Sequence, residues 1–332
     1  MNNNKKAIVL FSGGLDSLLS ALIIRTNGIE PICLNCTGPF STKSKRDYIG
    51  ETAQKFNLKL IRKDIGKEML ETVKSPKFGY GKNINPCIDC KILMLKKAGD
   101  LMKELGADFV VTGEVLGQRP MSQQSKSLNL IENESGLKGF IVRPLSAAVL
   151  NDTVPQQNGL IKKENLYSVV GRSRKKQFEL AQEFGINEKD YSSPAGGCLL
   201  TMKEYSLKLR DLLKFKKNAG IEDVLLLKTG RHFRINPDFK VIVGRDEPEN
   251  NLLDSAAKGK MIRMWAENCK GPTVLGDGPE NTVNIEAMAG LCGRYSDCIK
   301  SEKADFAYEI RGETGRISAV PFDDSGIIKY KI

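Results

Sequence analysis

A short apolar run, Ala7-Ile8-Val9-Leu10-Phe11, ends in Ser12-Gly13-Gly14-Leu15-Asp16-Ser17, and Leu18, Leu19, Leu22 and Ile23 follow at helical spacing. No other stretch limits the fold so tightly. It predicts a buried strand that enters a tight turn and leaves it as a helix. Glycine lets a backbone approach a ligand closely, and a helix start offers free N–H groups at its positive dipole end. With the Ser12 and Ser17 hydroxyls as extra donors, these are the parts of an anion cradle. Asp16 suits such a site only where a divalent cation accompanies phosphates, which is how nucleotides arrive. No Gly-Lys-Ser/Thr follows the glycines, so this is not a Walker loop, and the Rossmann glycine pattern is absent too.

The first third keeps alternating. Residues 29–36 predict a second strand, 44–56 a helix, 58–62 a third strand, 88–105 a helix and 108–113 a further buried strand. Such alternation implies an α/β fold, a parallel sheet covered by helices on both faces. Ligands of such sheets sit beyond the carboxyl ends of the strands. Ser12, Asn35, Thr112 and Gly113 fall at such ends and are expected to line one crevice. From about 115 to 200 the pattern loosens, with a helix expected over 175–184 and a Lys-rich amphipathic helix over 202–217. Beyond 220 the texture turns β-like at 224–227 and 241–243. The boundary falls at 200–222. This gives a nucleotide-binding domain over 1–150, a linking region over 151–218, and a smaller α+β domain over 219–332.

With 332 residues, 40% of them hydrophobic, the chain can bury the cores of two or three domains. No apolar run of about 18 residues predicts a membrane span. The opening Met-Asn-Asn-Asn-Lys-Lys leads straight into a strand without room for a signal peptide, so a cytoplasmic protein is expected. The net charge of +11 favours a polyanionic partner. The single histidine, His232, lies far from the loop in sequence, which argues against histidine acid–base chemistry there.

Eight cysteines in a cytoplasmic chain point to metal or catalytic thiols rather than a disulfide framework. Cys87 and Cys90 form a C-x-x-C pair just before a helix, and Cys198 follows Pro194-Ala195-Gly196-Gly197. Three thiolates suit a [4Fe–4S] cluster with one iron left open; zinc would normally want a fourth ligand, and a dithiol redox pair without Cys198 is a further alternative. Cys33 and Cys36 read as small hydrophobes on a buried strand. Cys269, Cys292 and Cys298 follow no regular spacing.

The hexapeptide of residues 12–17 resembles the pyrophosphatase loop (PP-loop) of the N-type ATP pyrophosphatases, which split ATP between the α and β phosphates. Loop, C-x-x-C and distant cysteine together resemble the tRNA thiolation enzymes, nearest the tRNA-specific 2-thiouridylases, over roughly residues 5–200. Their Ser-Gly-Gly-Val-Asp-Ser, Asn-Pro-x-x-x-Cys and Thr-Gly-His segments have counterparts here in residues 12–17, 85–90 and Thr112-Gly113-Glu114, and Cys198 stands for their second cysteine. Two positions depart. Cys87 stands where Asp is frequent, which completes a pair more like that of the cluster-dependent tRNA thiolases, and Glu114 replaces the histidine. Thr229-Gly230-Arg231-His232-Phe233-Arg234-Ile235 and the segments at 240–246 and 250–253 resemble the RNA-binding module of the NFACT ribosome-associated proteins.

The resemblance implies an ATP-dependent tRNA thiouridine synthetase. Ser12, Gly13, Gly14, Asp16, Ser17, Asn35, Thr112 and Gly113 would bind ATP, with Mg²⁺ near Asp16. Cys87, Cys90 and Cys198 would hold the [4Fe–4S] cluster, and Asp16, Cys90 and Cys198 would act in catalysis. A sulfur donor is a further partner, as sulfide on the open iron or as a persulfide on Cys198 or Cys90, the latter helped by thiols of low pKa in a basic site. In the densest basic run, Arg172, Arg174, Lys175 and Lys176 are expected to contact tRNA phosphates. Arg119 and Arg143 fit either phosphate contacts or structural ion pairs, and Trp265, Phe233 and Tyr295 read as core. Desulfidation of a thiolated base, sulfur insertion into a small molecule, and a non-catalytic RNA-binding protein with a relic nucleotide site are the competing readings.

Overall fold

The structure is a computed structural model describing residues 5–42, 47–192, 197–257, 259, 261–298 and 302–332. The chain divides into two compact units between Met202 and Lys203. In the first, the predicted alternation is realised as β1 (Lys6–Leu10), α1 (Leu15–Thr26), β2 (Glu30–Thr37), α2 (Tyr48–Lys55), β3 (Lys59–Asp64), α3 (Gly66–Lys74), α4 (Cys87–Glu104), β4 (Phe109–Thr112), α5 (Ser125–Ser135), β5 (Ile141–Val142), the four-residue α6 (Val154–Gln157) and α7 (Lys175–Glu183). The strands form one parallel sheet in the order β3-β2-β1-β4-β5.

Strand geometry sends alternate side chains to opposite faces. On β1, Ala7 and Val9 enter a core with Leu18, Leu22 and Leu180 of α1 and α7, while Ile8 enters the opposite core with Leu95 and Ala98 of α4 and Ile131 of α5. Both faces are therefore dry, and the central strand reads as a continuous apolar run. Its neighbours are in register, Val9 opposite Cys33 on β2 and Val111 on β4. This brings the exits of three strands to one edge of the sheet. Because α4 returns the chain to the amino end of β4, its first turn, with Cys87 and Cys90, lies at that same carboxyl edge.

The second unit contains α8 (Lys203–Phe215), α9 (Ile221–Leu226), β6 (Arg231–Asn236), β7 (Phe239–Val243), α10 (Glu247–Ala256), β8 (Ile262–Ala266), β9 (Val274–Asp277), α11 (Thr282–Arg294), β10 (Ala304–Ile310), β11 (Glu313–Ala319) and α12 (Asp324–Ile328). Six antiparallel strands run in the order β11-β10-β8-β9-β7-β6. Phe233, Phe239, Met264 and Phe306 bury against Ile285, Met288 and Leu291 of α11. Phe233 is core as expected, whereas Trp265 and Tyr295 are only half-buried and lie under the guanidinium groups of Arg263 and Arg231.

Two expectations are corrected here. The run at 224–227 is not a strand. A continuous apolar stretch carries no period, and Asp223 decides the matter by accepting from the Gly220 N–H at 2.8 Å, which starts α9. Cys269 and Cys298 are joined in a disulfide, so these two thiols are not available as metal ligands or nucleophiles.

His232 is 1% exposed; Nε2 meets the Thr229 carbonyl at 2.8 Å, and Nδ1 has no hydrogen-bond partner among the described residues. Burial, together with Lys240 and Lys208, pushes its pKa well below the ordinary value. The unfolded chain therefore binds a proton below about pH 6.5 that the folded unit refuses, and stability falls as pH drops through that region. Trp265 is the only tryptophan, so its fluorescence follows this unit alone. Urea midpoints read from it should rise between about pH 5.5 and 7, and His232→Gln should flatten the rise. A variant with an unaltered slope would place the proton elsewhere.

Candidate active site at the carboxyl edge of the parallel sheet

The turn after β1 is held by its own serines. Ser17 Oγ donates to the Gly14 carbonyl at 2.8 Å and accepts from the Ser12 N–H at 3.3 Å, while Ser12 Oγ lies 3.3 Å from Ser17 Oγ. The Ser17 hydroxyl proton is thus already used in closing the loop, which corrects its expected part as a free donor. Gly13 has φ +73°, and a Cβ there would lie 2.7 Å from Ile49 Cγ1. The N–H groups of Ser17 and Leu18 return to the Gly14 carbonyl, leaving those of Leu15 and Asp16 at the open end of α1. Ser192 fixes the far side by donating its N–H to the Gly13 carbonyl at 3.0 Å.

Asn35 ties the strand exit just before this turn, and Thr112 ties the exit of β4. Asn35 is buried and donates to the Phe11 carbonyl at 2.8 Å, and Thr112 is buried and donates to Glu114 Oε2 at 3.1 Å. Their side chains are buried and bonded at the strand exits. Gly113 passes directly under the start of α1: a Cβ there would come within 2.6 Å of Asp16 C and Ser17 N.

Asp16 is caught in a network that the sequence did not reveal. Gln118, in the loop after β4, donates to Asp16 Oδ2 at 3.0 Å and accepts from Gln177 of α7 at 3.3 Å. Arg174 Nη2 stands 3.6 Å from Asp16 Oδ1, and that oxygen is buried without a hydrogen bond among the described residues. A buried, under-satisfied carboxylate oxygen beside a phosphate-type loop is a fitting ligand for a divalent cation.

Glu114 is 1% exposed and meets Arg143 at 3.2 Å and Lys91 at 3.5 Å. Burial works to raise its pKa; Lys91, Arg143 and the Thr112 hydroxyl outweigh burial and hold the carboxyl below its usual range. Arg143 also pairs with Glu132 and is buried, so it is a structural ion pair, while Arg119 is exposed. The departure from Thr-Gly-His at Glu114 thus has a physical reading: this position anchors α4 and Arg143 instead of facing a ligand.

Cys87 and Cys90 occupy one face of the first turn of α4, three residues apart. Asn85 Nδ2 donates to Cys87 Sγ at 3.0 Å. Cys198 reaches the same edge because Leu199 N–H donates to the Phe40 carbonyl at 2.8 Å, just past β2, and Asn83 Nδ2 donates to the Thr201 carbonyl. Of the stretch before Cys198, residues 194–196 lie outside the described residues. Burial pushes the Cys90 thiol up to about 12, and the neighbouring Cys198 and Cys87 push in the same direction. Burial also raises Cys198, against N–H groups of Leu200 and Thr201, and Cys87 adds to the rise. The expected low-pKa thiols are therefore not found: desolvation and crowded sulfurs outweigh the basic surroundings. Three thiols within one another's electrostatic reach are a donor set suited to a thiophilic group, although no three His, Cys, Asp or Glu among the described residues are drawn together as a metal site.

The basic run divides. Arg172, Lys175 and Lys176 are exposed, with Lys176 paired to Glu179, whereas Arg174 turns inward to Asp16. No helix among the described residues is long and apolar enough to cross a membrane.

Residues 2–155 match the family described as thiamine biosynthesis protein (ThiI), and residues 230–331 match the NFACT protein RNA binding domain. The probable tRNA sulfurtransferase of Thermococcus kodakarensis is 31% identical over 146 residues, covering 42% of this chain and 36% of the relative. That of Methanocaldococcus jannaschii is 32% identical over 155 residues, covering 45% and 39%. A solved 4-thiouridine synthetase–RNA complex with bound ATP aligns at 20% identity and a TM-score of 0.38, over 69% of this chain and 53% of its own, too loose a likeness to argue from. The chain spans less than half the length of both of these sulfurtransferases. Its first half is similar to the ThiI-type PP-loop tRNA sulfurtransferases, and its last third to the NFACT RNA-binding domain.

Proposed function

We propose that the chain is an ATP-dependent tRNA sulfurtransferase that replaces a uridine carbonyl oxygen with sulfur. The observation that carries this reading is the short physical path between loop and thiols. Cys90 is followed by Lys91, Lys91 pairs with Glu114, and Gly113 beside it packs on the Asp16–Ser17 peptide.

A uracil carbonyl oxygen is a poor leaving group, and ATP removes that difficulty. The oxygen attacks the α-phosphorus, the bond to the β-phosphate bridging oxygen breaks, and pyrophosphate leaves with the electron pair. The N–H groups of Leu15 and Asp16 would hold the leaving group at the positive end of α1, and the Ser12 hydroxyl would join them by turning its proton from Ser17 Oγ to the phosphate. Mg²⁺ on Asp16 would supply charge neutralisation at the phosphates. A hydrosulfide equivalent then adds to the activated carbon, the C–O bond breaks and AMP leaves, with no change of redox state. Cys87, Cys90 and Cys198 are the residues that would hold a [4Fe–4S] cluster, which would supply an iron site for inorganic sulfide. The exposed Arg172, Lys175 and Lys176 and the C-terminal unit would bind tRNA phosphates.

The test is anaerobic incubation of the full chain with bulk tRNA, Mg·ATP and sulfide. One pyrophosphate and one AMP are expected per thionucleoside found by mass spectrometry of the digested tRNA. Release of ADP, or no ATP turnover with any tRNA, would sink the proposal. Net loss of thionucleoside from pre-thiolated tRNA would establish desulfidation instead.

A further inference from the structure

The chain Gln177–Gln118–Asp16–Arg174 is drawn from three separate elements and ends in loose ends. Gln177 is fully buried, its Nε2 donates to Gln118, and its Oε1 has no hydrogen-bond partner among the described residues. Asp16 Oδ1 and Arg174 Nε are likewise buried and unbonded. The Asp16 and Arg174 side chains are 21% and 17% exposed, and their 3.6 Å approach is an ion pair without a hydrogen bond. A buried network left partly satisfied is costly, and an Arg that meets its carboxylate without the usual fork geometry is not optimised as a structural pair. Compare Arg234, which grips Asp211 with two bonds of 3.1 and 2.7 Å. Arg174 is also the N-cap residue immediately before α7, and its guanidinium rests against the exposed ring of Phe178 at 5.3 Å.

We propose that Arg174 is a reserve cation for the phosphate loop, occupying Asp16 while the site is empty and exchanging to the nucleotide phosphates when Mg²⁺ takes over the carboxylate. The charge at Asp16 is then balanced in both states. A guanidinium released beside α1 meets an incoming triphosphate as a forked donor. Because Arg174 is the N-cap of the helix whose first residues are the exposed Lys175 and Lys176, the exchange couples nucleotide occupancy to the segment proposed for tRNA. This inference rests on the loop being an ATP site.

The experiment uses the full chain and two titrations, Mn²⁺ alone followed by electron paramagnetic resonance, and Mg·ATP followed by calorimetry. Arg174→Met keeps the stem against Phe178 and removes the charge; Arg174→Gln is the second variant should the first not fold. With the competing cation gone, Mn²⁺ should bind about threefold or more tightly, while Mg·ATP should bind about tenfold or more weakly for want of its forked donor. Arg174→Lys should return Mn²⁺ affinity to the wild-type value. Opposite movement of the two affinities supports the exchange. Parallel loss of both, or no change in either, overturns it. Wild-type protein that binds no ATP overturns the reading of the loop itself, a distinct result.

Discussion

Gly113→Ala is expected to reduce ATP affinity by at least about a hundredfold while the chain stays folded. The added methyl would sit 2.6 Å from Asp16 C and from Ser17 N and 2.7 Å from Asp16 O, and all three are backbone atoms that cannot rotate away. Behind them Leu15 and Leu18 are at 1% and 0% exposure, so α1 has no slack on its core side. Overpacking of this kind costs about 1–3 kcal/mol. The only compliant direction is outward, and lifting the first turn of α1 breaks the 2.8 Å bond from Ser17 Oγ to Gly14 and the 3.0 Å bond from Gln118 to Asp16. The cradle therefore loses its shape before the domain loses its core. Calorimetric titration with Mg·ATP, paired with a thermal melt, separates these effects. Unchanged affinity would mean that the start of α1 does not hold the phosphates.

What the sequence made legible follows from which signals are local. The strand before the loop, the loop and α1 were readable because β-branched residues, two glycines and a 3.6-residue period lie within one short window. The carboxyl-edge placement of Asn35 and Thr112 followed from alternation alone, but not their bonds to Phe11 and Glu114, since a polar residue at a strand end is compatible with either a ligand or a neighbouring chain segment as partner. Nothing local marks Gln118 as the partner of Asp16, or Gln177 as the residue behind Gln118. Both are more than a hundred residues from Asp16 in sequence and become neighbours only through packing, as do Lys91, Glu114 and Arg143. The inward turn of Arg174 was hidden because a basic run reads as one solvated face, whereas the N-cap residue stands outside the helical backbone of those that follow it. Cys269 and Cys298 pair across 29 residues, a spacing that carries no motif.

Cys198→Ala is expected to lower thionucleoside formation by at least about three orders of magnitude and to leave ATP affinity within about twofold of wild type. The two effects separate because Cys198 and the phosphate loop are held by different bonds. The Cys198 backbone is set by Leu199 N–H to Phe40 at 2.8 Å and by Thr201 Oγ1 to the Cys198 carbonyl at 2.7 Å, neither of which involves its sulfur. Cys198 as a residue is open to solvent although its sulfur is partly desolvated beside Cys87 and Cys90, so loss of the single sulfur atom opens no sealed cavity. Cys90 is half-buried, and with its thiol pushed up to about 12 it stays protonated at neutral pH unless a metal or a second sulfur claims it. Iron and sulfide analysis after anaerobic reconstitution therefore discriminates two sulfur routes. If Cys87→Ala and Cys198→Ala both fail to retain iron that wild type retains, the three thiols hold a cluster. If wild type takes up no iron yet thiolates tRNA only when a donor carrying sulfane sulfur, such as a persulfide on another protein's cysteine, replaces sulfide, the Cys198 thiolate takes the donor's outer sulfur as the donor thiolate leaves, and release of the product by a second cysteine leaves a disulfide that an added thiol must reduce. Thiolation surviving in Cys198→Ala would remove the residue from the reaction. A parallel collapse of ATP binding in a folded variant would show that nucleotide and sulfur sites are one.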